Sequence, residues 1–570
     1  MNKGNRFIKE KTSYLIYLAA FILSAIPALF LSAPFVEDSL GTMAMAAYLS
    51  GNDFSDFLIE KGFYYKYGQS LFYLPVFFCV HNPALRYKLL LVVNSVITAF
   101  IPVIIYKTGI KHLRMSQMDS AFTGLLSGCM PATLLYAKLT WAEPVLFTVP
   151  WIIIYIVLEL FDVDSELKSL YNEEARADSY QGKLRLYRAY SLDDIRSKET
   201  LDIPVSVMLA HNDLVKRKSR LSILLAFTST FAFMAHQRGI VVVIAVFMFL
   251  LLTRVVYKVH LVNPYGYGIG LVFMLVIDRI LDGWLKGTVY RGAELKHNLL
   301  SAFLHPEIYQ KLFSLRGLVV VARSVFGWLF NSSVSGMGFA ILGMFLCIGC
   351  FWGLGKRKNY FSIKFKYMAL LGSLFYVGAF LLGILFFFEG AYGYWDGSMV
   401  TRCDHLVFGR YLESSLPVMM YLGLYGITRL SQPGNVVDLR EMGIKKTVFI
   451  AAMVQGVLLI YFTMRVAPVM DGVDSYVHSI MSMNICFDMS GVTLAQDHIS
   501  NLPMALIIAG IVSLLVYVAT CLLFKGNNKR LSYMIHGVLF CYIYLRSFAD
   551  ILYRVDTNAM TDFARYYLVR

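Results

Sequence analysis

Charge is the scarcest thing in this sequence. Asp, Glu, Lys and Arg make up 16% of its 570 residues, against about 25% in an average soluble domain, which excludes the usual water-facing surface. Cysteine is sparse too. There are eight, most of them inside apolar runs, where a thiol acts as a small hydrophobe, so a disulfide scaffold is excluded. Cys347-Ile-Gly-Cys350 has redox spacing but lies mid-run without a basic neighbour to activate a thiol. Internal repeats, a low-complexity tail, metal-ligand spacing and a Walker-type phosphate loop are all missing, which argues against a nucleotide-driven pump.

Apolar residues make up 58% of the chain, the mean hydropathy is +0.60, and runs of membrane-spanning length recur from end to end. The fold class predicted is all-α, a polytopic membrane protein. About 13 transmembrane helices are expected, near 13–33, 88–106, 119–137, 142–161, 221–235, 239–253, 265–282, 335–354, 367–388, 411–428, 447–464, 502–524 and 531–549. The first run is longer than a secretory h-region of roughly 7 to 15 residues and has no small-residue cleavage site, so it is expected to stay as a helix.

The net charge of +15 is distributed by side. Loops 1–12, 107–116, 254–260, 356–366, 429–446 and 525–530 hold 21 Lys or Arg against three acids. The positive-inside rule makes that side cytoplasmic, which places Glu37 and Asp38 outside. The basic excess then reports topology and anionic headgroups and requires no nucleic acid.

The outer segments are unequal, with four long ones at 34–87, 283–334, 389–410 and 465–501. In the first, "TMAMAAYLSG" and "FSDFLIEKGFYYKYGQSLFYLPVFFCV" are too polar to span and too apolar for free loops, so they predict short interfacial helices. The cytoplasmic insert 162–220, with eleven acids and eleven bases, reads as a solvated hairpin between spans. A division follows: 1–465 as the main membrane region with the outer loops 34–87, 283–334 and 389–410, and 466–570 as a last outer loop with two helices.

Polar residues converge at the outer ends of several spans. They are Glu37 and Asp38; Tyr64, Tyr65, Lys66 and Tyr67; Lys138 and Glu143; His236 and Arg238; and Arg402, His405, Arg410 and Tyr411. Acids and arginines across one cavity suit a reaction in which a hydroxyl loses a proton while a phosphate leaves. A carboxylate takes the proton, and a guanidinium holds the phosphate through two parallel bonds. The plainer readings stay open: snorkelling anchors or salt-bridge partners for the arginines, a helix-dipole complement for Glu143, and an aromatic belt for residues 64–67.

In this setting the chain resembles the GT-C glycosyltransferases, membrane enzymes that use polyprenyl-phosphate sugars, in particular the bacterial relatives of protein mannosyltransferases and aminoarabinose transferases. The likeness rests on "ED" past span one, "AAYLSGNDF", "YYKYGQSLFYLPVFF", "AHQRG" after span five and "FGRYLESSLP" entering span ten. It covers the chain in hydropathy and about 90 residues in motif. The family usually shows Asp then Glu, whereas this chain has Glu37, Asp38 and Ser39. Counting back from "AAYLSGNDF" puts Asp38 at the catalytic position, and a one-residue gap would choose Glu37. The resemblance implies a catalytic base at Asp38 or Glu37. It implies donor contacts among Arg410, Arg238, Lys66, Tyr65, Tyr67, Glu143, Arg402, His405 and Tyr411, with no metal clearly required. The expected function is inverting sugar transfer from a polyprenyl-phosphate donor to a glycan, lipid or wall-polymer acceptor on the outer face of a bacterial plasma membrane. The rivals are a transporter or flippase, whose charges would lie nearer the midplane, and an O-antigen-type ligase or polymerase, whose long loop usually comes late.

Overall fold

The structure is a computed structural model. It describes residues 3–34, 38–62, 64–174, 205–295, 306–352, 361–396, 403–430, 444–470, 475–476, 498–499, 502–558 and 567–568. Glu37 and Arg402 therefore lie outside the described residues. The chain begins with α1 (Lys3–Ala25), extended by a 3-10 turn, Ile26–Leu29, in which Pro27 sits. Three short helices follow, α2 (Asp38–Leu49), α3 (Ser55–Lys61) and α4 (Gly68–Cys79). Then come α5 (Pro83–Lys111), α6 (Gln117–Gly128), α7 (Pro131–Tyr136) and α8 (Glu143–Glu174). The middle of the chain forms α9 (Val205–Ala235), α10 (Ile240–Val256), α11 (Pro264–Thr288), α12 (Pro306–Leu312), α13 (Leu315–Ser335), α14 (Phe339–Trp352) and α15 (Ile363–Asp396). The last part holds α16 (Arg410–Glu413), α17 (Leu416–Arg429), α18 (Ile444–Tyr461), α19 (Ala467–Met470), α20 (Leu502–Lys525) and α21 (Lys529–Asn558). The β structure among the described residues is a two-residue pair, Ser475–Tyr476 with His498–Ile499.

Helix ends follow local chemistry. Asn82 accepts from the Leu85 amide at 2.9 Å and is followed by Pro83 at the first turn of α5, which satisfies one orphan N–H and dispenses with another. Helix α8 opens on Glu143-Pro144, an acid and a proline where both are favoured.

Among the described residues, eight segments are long and apolar enough to cross a membrane: Glu10–Leu29, Pro83–Lys111, Glu143–Leu170, Gln237–Val256, Leu315–Ser335, Ile363–Gly393, Ile444–Met470 and Pro503–Lys525. The protein is thus an α-helical membrane protein. The other predicted spans are helical but fall short of that standard. Pro131 divides 119–137 into α6 and α7, α14 has 14 described residues, and Asp278, Arg279 and Asp282 interrupt the apolar run within the continuous helix α11. One segment corrects the sequence reading. The outer stretch 283–334 contains α13, whose Arg316, Arg323 and Asn331 broke the apolar run although Asn331, Ser332 and Ser333 are buried in protein.

Helices α14 and α17 cross at backbone contact. An added methyl would lie 2.0 Å from Met419 O at Gly343, and 2.0 Å from Phe339 O at Gly423, the close approach that small residues permit between membrane helices. The first outer loop departs from expectation in one respect. Helix α2 is short as predicted, yet Ser39 to Ala47 are all buried, so it is enclosed by protein rather than lying in the interface.

Helix α8 runs on to Glu174 and α9 starts at Val205, so helices frame the insert 162–220 and 175–204 lie outside the described residues. The alternating topology expected from the sequence, in which α13 adds no crossing of its own, has a direct consequence. Cysteine-accessibility labelling is expected to reach the 162–220 insert from the cytoplasmic side and 389–410 from the opposite side; labelling of both from one side would break the model of alternating crossings.

Candidate functional site

Helix α2 presents Asp38 from its first turn, and three contacts hold that turn in place. The Thr140 hydroxyl donates to Ser39 O at 3.0 Å, the Thr42 hydroxyl donates to Thr140 O, and the Tyr65 ring lies against Gly41. A methyl on Gly41 would sit 1.9 Å from Tyr65 Cδ2, so glycine is what allows the ring to reach Asp38. There the Tyr65 hydroxyl donates to Asp38 Oδ1 at 2.7 Å.

Arg410, at the start of α16, joins two acids. Its Nη1 donates to Asp38 Oδ2 at 2.9 Å and its Nε to Glu143 Oε1 at 2.6 Å, while its guanidinium stacks 3.8 Å from the Trp141 ring centroid. Arg238 pairs with the same Glu143 oxygen through Nη2 and donates from Nη1 to Arg410 O at 3.2 Å. Tyr411 lies under Arg238 at 4.9 Å. Four loops and helix starts, distant in sequence, thus meet in a neutral set of two carboxylates and two guanidiniums.

Burial separates the two acids. The Glu143 side chain is 1% exposed and the Asp38 side chain 25%. Glu143 is the enclosed counter-charge that aims both arginines, and Asp38 is the carboxylate an incoming group can reach. His236 adds no charge here. Burial pushes its imidazole down to about 3, and its neutral Nδ1 accepts from the Arg238 amide at 3.2 Å. Arg238 Nε is a buried donor with no acceptor among the described residues. It lines a narrow pocket whose other walls include Leu146, Val242, Phe375, Leu382 and Tyr411.

Several predicted residues sit elsewhere. Lys66 donates to both Asp278 oxygens at 2.8 and 2.9 Å, and Tyr67 donates to Asp278 at 2.9 Å. Tyr64 donates to Asp282, which also takes Lys286 at 2.8 Å. Burial pulls the Lys66 ammonium below the usual lysine range despite the two acids. These contacts clamp residues 64–67 onto α11, and only Tyr65 of the four reaches Asp38. His405 is likewise placed apart, its ring 4.7 Å from Phe387 and its carbonyl accepting from Trp328 Nε1 at 2.9 Å. Asp278, Asp282 and the buried pair of Tyr136 with Glu413, at 2.7 Å, escaped the sequence reading. Two acids one turn apart inside an apolar run were the available signal for α11.

The fold also gathers a trio that no sequence spacing announced. His112, Glu159 and Asp162 bring ligand atoms within 4.8 Å of one another, a set able to hold a metal ion. Lys111 and Arg217 pair with Glu159, and Lys364 pairs with Asp162. Three cations thus balance these acids, so the trio joins α5, α8, α9 and α15 electrostatically without a further charge. No protein-family model matches this chain, and no curated protein matches it.

Proposed function

We propose that the chain is a membrane glycosyltransferase of the GT-C type, with about 13 crossings in a bacterial plasma membrane and the Asp38 network on the outer side. It moves a sugar from a polyprenyl-phosphate donor to a hydroxyl of a glycan, lipid or wall-polymer acceptor. The observation that carries this reading is a juxtaposition: Arg238 lines a narrow apolar pocket and shares Glu143 with Arg410, which holds the accessible carboxylate of Asp38. An apolar tail suits such walls, a phosphate suits two guanidiniums, and the open carboxylate suits a proton acceptor. In the step proposed, the acceptor oxygen bonds the anomeric carbon from the face opposite the phosphate. Its proton passes to Asp38, and the C–O bond to phosphate breaks with its electron pair leaving on the phosphate. Arg410 lies between the base and the leaving group and serves both charges. No protein nucleophile is required, and the sugar is inverted.

The test is donor kinetics of Arg238→Lys and Arg410→Lys beside their thermal stability. Ammonium cannot reproduce the planar fork. The phosphate gains charge as its bond breaks, so each change is expected to lower kcat as well as raise donor KM. Unchanged kinetics in both variants would remove the arginines from phosphate binding.

A further inference from the structure

A second groove lies apart from the Arg238 pocket and shares no lining residue with it. It holds about 290 Å³ between α1, α6 and α21, walled by Ala19, Leu23, Phe122, Leu125, Cys129 and Phe540. The helices beside it expose Leu15, Leu18, Ile22, Val538 and Leu545, an apolar face suited to hydrocarbon. At Phe540 the groove adjoins a recess of about 10 Å³, room for about one water, formed by Leu134, Lys138 and Tyr544, so the Lys138 side chain must swing toward the groove to meet a larger anion.

Lys138 is the unusual member of that recess. It is 1% exposed. Its ammonium donates to Leu134 O at 2.7 Å and lies 5.8 Å from the Tyr544 ring centroid, and no carboxylate among the described residues pairs with it. A buried ammonium without a counter-ion is costly, and burial pushes this one down to about 7. An anion arriving at the recess would relieve that cost, and an apolar chain attached to it would fill the groove.

We propose that the groove binds one anionic phospholipid from the surrounding bilayer, with an acyl chain along α21 between α1 and α6 and its phosphate on the Lys138 ammonium. A free phosphate has no use for the apolar walls, and the polyprenyl donor is already accounted for by the Arg238 pocket. The bound lipid would also brace the site. Three residues past Lys138 stands Trp141, under Arg410, and Thr140 between them holds Ser39 and Thr42 beside Asp38. The choice of a phospholipid over a prenyl phosphate rests on the donor pocket proposed at Arg238; the binding of an anionic lipid at Lys138 does not depend on sugar transfer.

The experiment is thermal unfolding of the purified, delipidated full chain in a neutral detergent, with added phosphatidylglycerol, phosphatidylcholine, farnesyl phosphate or inorganic phosphate. Phosphatidylglycerol is expected to raise the wild-type Tm by several degrees and the other three to do little. Lys138→Met is expected to melt at or above the wild-type temperature without lipid and to lose the phosphatidylglycerol increment. Gly537→Leu provides an independent arm. Gly537 lines the groove, and a Cβ there meets nothing within 4 Å, so leucine fills the groove, keeps the fold and abolishes the increment. An increment retained in either variant overturns the proposal, as does an equal shift from phosphatidylcholine. A shift from inorganic phosphate matching that of phosphatidylglycerol would replace the lipid by a free anion, and a larger shift from farnesyl phosphate would replace it by a prenyl phosphate; either overturns the phospholipid assignment.

Discussion

Asp38→Asn is expected to lower sugar transfer by roughly 10²- to 10⁴-fold, the usual worth of a positioned general base, while the protein stays folded. Asparagine keeps the size of the side chain; its one carbonyl oxygen can take the Arg410 Nη1–H while its amide donates to the Tyr65 hydroxyl oxygen, since the two groups meet different oxygens of Asp38. Arg410 retains Glu143 as its counter-charge, at 2.6 Å, so the variant does not strand a buried cation. What it loses is the ability to take a proton. The measurement is turnover of polyprenyl-phosphate sugar by purified variants, with Glu37→Gln beside Asp38→Asn because Glu37 directly precedes Asp38 in the sequence. Wild-type rates in both would end the assignment of a base to this pair. A full loss in Glu37→Gln with normal turnover in Asp38→Asn would move the base by one residue.

Glu143→Gln is expected to damage folding rather than one kinetic step. Arg238 and Arg410 both pair with Glu143 Oε1, and their side chains are 6% and 12% exposed. Removing the acid leaves two nearly enclosed guanidiniums with Asp38 as the remaining carboxylate of the set. Breaking a buried pair from one side typically costs about 3–5 kcal/mol, a large share of the roughly 5–15 kcal/mol that holds a protein folded. Thermal unfolding and yield of folded protein in detergent check this. A Glu143→Gln variant that melts with the wild type would show that the ion network contributes little to the fold.

The two variants divide the roles that a sequence cannot separate. In the sequence, Asp38 and Glu143 are both acids at the outer end of an apolar run, and only burial tells the reachable one from the enclosed one. The four aromatic and basic residues 64–67 show the same limit. Their composition fits an interface belt or a binding strip equally well. The fold sends Lys66 and Tyr67 to Asp278, Tyr64 to Asp282 and Tyr65 alone to Asp38. Neither acid of α11 was legible as a partner, because a pairing across more than 200 residues leaves no local trace.

The sequence by itself determined that this chain lives in a membrane and is helical. Long apolar runs have no other low-cost environment, and a backbone in hydrocarbon must satisfy its own hydrogen bonds. It also determined which polar residues stand at the ends of those runs, since hydropathy changes sign there, and so it named Asp38, Glu143, Arg238 and Arg410. Tertiary structure decided the rest. It buried α2 on all sides, made a crossing-length helix of Leu315–Ser335, and set Arg410 between Asp38 and Glu143. It also left Lys138 without an acid among the described residues. The physical reason is that charge pairing and burial depend on distances between chain segments far apart in sequence, whereas hydropathy is summed along the chain.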